Sequence, residues 1–155
     1  MTNLSGAADV VDIQRVILAG SASGRPLVLD EPVSFWGGLN PDTGEIIDIH
    51  HPQHGCNIKD TLLFLPGTRG STAGPGALLE ALYQHNGPAA IILTAADVAT
   101  LIAVTAASYV GIPVIPIVEV SGALPDGTRE PDSKWRLSCI EMKIVRNVQA
   151  IQACG

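Results

Sequence analysis

Apolar and polar positions divide the chain into three stretches with different rhythms. In the first, "IQRVILAG" (Ile13–Gly20) and "PLVLD" (Pro26–Asp30) are short apolar runs bounded by turn residues, and both predict strands. "VSFWGGLNPDTGEIIDI" (Val33–Ile49) predicts two strand pieces around the turn Asn40-Pro41-Asp42-Thr43-Gly44. "HHPQHGCNIKD" (His50–Asp60) then reads as a polar loop. From Thr61 the pattern changes. "TLLFL" stops at Pro66-Gly67 and suits a strand buried on both faces. Pro75–His85 predicts a helix, with Leu78, Leu79 and Leu82 on one face and Pro75 at its first position. "AAIILT" (Ala89–Thr94) predicts a second buried strand. Asp97–Val110 predicts a helix with Asp97 as its cap and Gly111 beyond its end, and "IPVIPIVEV" (Ile112–Val120) a third buried strand. Two strand–helix–strand units in succession imply parallel pairing with right-handed connections. After the turn "LPDGTREPDS", Lys134–Asn147 returns to β structure. The expectation is one α/β domain over residues 1–155, β-rich at both ends around a central βαβαβ segment.

Composition narrows the function classes. Hydrophobic residues make up 46% of the chain and charged residues 15%, against about 25% charged in ordinary soluble proteins. Such a shortfall fits a surface covered by a partner subunit, and equally an Ala- and Gly-rich chain. The net charge of −6 argues against nucleic acid as a partner. No run reaches the ~18 continuous apolar residues of a membrane span. Ala95–Val118 comes closest and is interrupted by Asp97, Gly111, Pro113 and Pro116. The first residues lack a basic segment followed by a long apolar one, so a cytoplasmic protein is expected. The three cysteines, Cys56, Cys139 and Cys154, form no disulfide framework and match no zinc or iron–sulfur spacing. Any metal chemistry is expected on another chain.

The unusual stretch is "LLFLPGTRGSTAGPGALLEAL" (Leu62–Leu82). It lacks the lysine of a phosphate-binding P-loop, the third glycine of a dinucleotide fingerprint, and the flanking glycines of a nucleophile elbow. Gly67, Gly70 and Gly74 let the backbone bend tightly and approach a ligand. The turn leads into a helix N-terminus, whose free N–H groups and dipole favour an anion. Arg69 can clamp a carboxylate or phosphate, with Ser71 beside it. A plain strand-to-helix turn, with a solvated arginine and a capping serine, fits the same residues.

At these residues the chain resembles a known family. "EPVSFWGGLNPDTGEIIDIHHPQHG", the stretch Leu62–Leu82 and "GIPVI", in that order, are similar to the aconitase X swivel domain over about residues 26–119. The resemblance implies a swivelling β/β/α fold and a hydro-lyase of the aconitase superfamily. It implies a large-subunit partner that carries an iron–sulfur cluster or iron. It also implies that Ser71 is the base that removes a proton next to a carboxylate, while Arg69, Gly70 and Thr72 bind or orient substrate. Two anionic substrates belong to the family: cis-3-hydroxy-L-proline and a phosphomevalonate. The scarcity of Lys and Glu departs from the hyperthermophile pattern and leans towards hydroxyproline. A module that binds an anion or a partner protein without catalysis is the rival reading.

Four other features have a tempting reading. His50, His51, His54 and Cys56 are close in sequence, but adjacent histidines on an extended chain point to opposite faces. They are read as a connecting loop at the rim of the site or against the partner. Trp36 beside Gly37-Gly38 suits a pocket wall but is read as core or interface packing, Asp97 as a helix cap and Cys139 as a buried β residue.

Overall fold

A computed structural model describes residues 9–68, 74–95, 98–112 and 114–147. Its elements are β1 (Val10–Asp12), β2 (Arg15–Leu18), β3 (Ser21–Gly24), β4 (Pro26–Val28), β5 (Leu39–Asn40), β6 (Glu45–Ile46), β7 (Leu62–Leu65), α1 (Gly74–Tyr83), β8 (Ala90–Leu93), α2 (Val98–Tyr109), β9 (Ile117–Glu119), β10 (Trp135–Ser138) and β11 (Lys143–Arg146). A 3-10 turn covers Asp126–Arg129.

The central sheet runs β2-β9-β8-β7-β4. Its last four strands are parallel, and β2 is antiparallel to β9. β7, β8 and β9 with the two helices between them are the expected βαβαβ segment. The strands read as unbroken apolar runs because both faces of this sheet are covered. Alternate residues serve different cores. Leu63, Leu65, Ile91, Leu93 and Ile117 meet Leu78, Ala81 and Leu82 of α1 and Val104 and Ala107 of α2. Leu62, Phe64, Ala90, Ile92 and Val118 meet Trp135, Leu137, Ile144 and Val11 of a second sheet. That sheet is antiparallel, in the order β1-β11-β10-β3. The layers are therefore sheet, sheet, helices: the β/β/α arrangement expected from the resemblance.

Several elements depart from the sequence reading. The third buried strand is only Ile117–Glu119, because Pro116 has no N–H to give a ladder. Its carbonyl still accepts the Ile91 N–H at 3.0 Å. β1 and β3 carry no distinctive apolar run, and the sequence pattern predicts neither. Lys134–Asn147 is a hairpin of two strands, and Cys139 lies half-buried in its turn rather than in a strand. The first residue of α1 is Gly74, one before Pro75. Asp97 and Cys154 lie outside the described residues.

At Gly24 the chain leaves the antiparallel sheet and, after Arg25, enters the central one. A Cβ there would stand 2.5 Å from the Asp60 carbonyl oxygen, so no side chain fits.

Candidate functional site

The four parallel strands point their carboxyl ends the same way. In open α/β sheets that end is where ligands bind. β7 leaves it through Pro66, Gly67 and Thr68, and α1 begins at Gly74. Arg69, Gly70, Ser71 and Thr72 fall between these points and lie outside the described residues. Gly67 has φ +135°, which L side chains rarely adopt, so one of the three glycines assigned to the bend does bend the backbone. Gly74 is buried as the first residue of α1 and is not among the residues with positive φ. The first turn of α1 holds no acidic side chain, so no carboxylate there repels an anion drawn to the positive end of the helix dipole.

Beside the amino-terminal half of α1 lies an open groove of about 760 Å³. Phe35, Trp36, Leu39 and Pro41 line one side, and Gly76, Ala77 and Glu80 of α1 the other. Trp36 is 62% exposed and lines this groove, so the core half of its core-or-interface reading is corrected.

The histidine loop is more structured than its sequence suggested. His50 and His54 are exposed, but His51 is buried. Its Nε2–H donates to the Glu31 carbonyl at 3.0 Å, and its Nδ1 accepts the Gln53 N–H at 3.0 Å. These partners set the neutral, Nε2-protonated tautomer. The Gln53 side chain accepts the Asp30 N–H at 2.9 Å and donates to Asp30 Oδ2 at 2.7 Å. Arg129 donates to Asp30 Oδ1 at 2.6 Å. That contact, and next the one from Gln53, holds the Asp30 carboxyl below the usual carboxylate range. Asp30, Gln53 and Arg129 were not candidates in the sequence. The one available signal was an apolar strand ending in an acid, which is too common to single out Asp30.

Among the described residues, no three of His, Cys, Asp and Glu come together in a way that could hold a metal ion. Both ring nitrogens of His51 are already engaged, and Cys56 and Cys139 are free thiols. An iron–sulfur cluster or iron does not fit this donor set. No helix among the described residues is long and apolar enough to cross a membrane.

Comparison with known proteins gives this geometry its context. The family model described as "Aconitase X swivel domain" matches residues 13–128. The phosphomevalonate dehydratase small subunit of Methanothermobacter thermautotrophicus is 40% identical over 114 residues, which are 72% of this chain and 85% of that protein. The cis-3-hydroxy-L-proline dehydratase of Pseudomonas aeruginosa is 45% identical over 85 residues, 55% of this chain. Those residues span only 15% of that much longer relative. The aconitase X of Thermococcus kodakaraensis, solved in its holo-form, superposes with a TM-score of 0.69 and 27% identity, covering 88% of this chain and 97% of that one. With the matched segment reaching from β2 to the 3-10 turn, across the central sheet and both its helices, the chain belongs to the aconitase X swivel-domain family.

Proposed function

We propose that this chain is the small subunit of an aconitase X-type hydro-lyase, and that its substrate is cis-3-hydroxy-L-proline. Water is eliminated across the Cα–C3 bond: the Cα proton and the C3 hydroxyl leave, and the resulting enamine tautomerises to Δ1-pyrroline-2-carboxylate. Ser71 takes the Cα proton. Arg69 pairs with the substrate carboxylate, and Gly70 and Thr72 shape the loop around it. The observation that carries this reading is the location of the segment. In the sequence Arg69–Thr72 is bracketed by the carboxyl end of β7 and the amino end of α1, where the helix dipole favours a carboxylate. A serine hydroxyl is a weak base in water. A dry site with a cation and backbone donors stabilises its alkoxide and makes the proton transfer feasible. On this reading the large subunit completes the site and holds the iron–sulfur cluster or iron. Proton removal and carboxylate binding belong to this chain's own residues.

A phosphomevalonate is the second reading. Its support is length: the alignment covers 85% of the separate Methanothermobacter subunit. Assay of the assembled complex with each compound decides between the two. Ser71→Ala is expected to lower kcat by about 10²-fold or more while the subunits still co-elute. Near-normal turnover removes Ser71 from the base role, and substrate binding without water release favours a non-catalytic anion-binding module.

A further inference from the structure

We infer that His51 and Gln53 are positioning residues: they clamp a one-residue bulge in the backbone after β4, and that bulge sets the exit of β7 at Gly67 and Thr68. For its effect on turnover the inference rests on the proposed role of Ser71, which follows three residues later.

The register reveals the bulge. β4 and β7 pair one for one from Pro26–Leu62 to Val28–Phe64, and the Leu29 N–H still donates to the Phe64 carbonyl at 3.0 Å. The next contact joins Val33 to Thr68, with the Val33 N–H directed at the Gly67 carbonyl at 3.4 Å. From Val28 to Val33 is five steps, while from Phe64 to Thr68 is four. The extra residue therefore lies within Asp30-Glu31-Pro32. Bulges of this kind leave backbone groups out of the ladder and redirect the chain. In this bulge two of those groups have side-chain partners. The Asp30 N–H donates to the Gln53 side chain, and the Glu31 carbonyl accepts from His51. Pro32 has no N–H to satisfy.

The clamp stands on a firm base. Backbone bonds from His51 to Asp48, His54 to His51 and Cys56 to Gln53 wind the loop into consecutive turns. The Ile46 N–H donates to the Cys56 carbonyl, and the Gly55 N–H to that of Ile46, which ties both ends of the loop to β6. His51 is 3% exposed, and the Gln53 N–H fixes its ring through Nδ1. A solvated loop has no need of a histidine buried in this way, and its reach to Glu31 crosses 20 residues of sequence.

The test compares His51→Asn with His51→Gln in the assembled enzyme. It is read by kcat, by KM, and by amide hydrogen exchange at Val33 in the full-length chain. Asparagine keeps an acceptor where Nδ1 lies but does not reach Glu31. Glutamine places a donor where Nε2 lies. In His51→Asn, Val33 exchange should rise about tenfold and kcat fall about tenfold, with KM within about twofold, as for a misplaced catalytic group. His51→Gln should restore both. Unchanged Val33 exchange in His51→Asn overturns the inference whatever the activity does, and so does a failure of glutamine to restore it. Faster exchange with unchanged kcat upholds the clamp and counts instead against Ser71 as the base. Gln53→Leu, at a half-buried position, tests the clamp from its other side if His51→Asn does not fold; unchanged Val33 exchange there overturns it as well.

Discussion

Asp30 meets Arg129 through one carboxylate oxygen and Gln53 through the other, and each contact favours its charged form. The pH dependence follows from the direction of the shift. A carboxyl whose folded pKa is depressed contributes stability that is fully present above the unfolded value of about 4. That stability is lost as pH falls through the lower folded value. The side chains of Arg129 and Asp30 are 54% and 42% exposed, so solvent screens the pair and its worth is about 0.5 kcal/mol. Asp30→Asn should therefore lower the urea midpoint slightly at pH 7, less so in high salt. Variant and parent should converge only once pH has fallen below the lowered folded value of Asp30. Identical midpoints at pH 7 in low salt would show that the contact adds nothing. None of this was visible in "PLVLD", since the partners of Asp30 lie 23 and 99 residues away.

Among the elements, the apolar strands were the most legible. Four or five consecutive apolar residues between turn signals suit a strand buried on both faces, and β7 and β8 are buried at every position. The two helices were legible for the same reason, from apolar residues at helical spacing. The short strands β1 and β3 were not, because three or four residues with mixed exposure carry too little period to detect. The crossing from β3 to β4 was also hidden: nothing in "SASGRP" says that Gly24 passes against another backbone. Gly24→Ala is expected to cost about 1–3 kcal/mol, because its Cβ meets a fixed carbonyl and not a side chain that can turn away. Chemical denaturation measures this, and an unchanged midpoint would mean that the Asp60 segment yields freely.

For the whole molecule, the proposed two-subunit enzyme sets the prediction. The isolated chain is expected to show no turnover, and addition of the large subunit should restore it. Turnover by the isolated chain, measured with either hydroxy-acid substrate, would overturn the two-subunit reading. The sequence by itself determined the central βαβαβ segment, the absence of a zinc-type spacing and the family, because apolar period and glycine-rich loop motifs are local properties of neighbouring residues. Only the tertiary structure decided that the outer strands form a second sheet against the first. It alone decided that within "HHPQHG" His51 is buried and bonded to the Glu31 carbonyl while His50 and His54 stay exposed. Both depend on contacts between residues far apart in the chain, and such contacts leave no periodic mark on either partner.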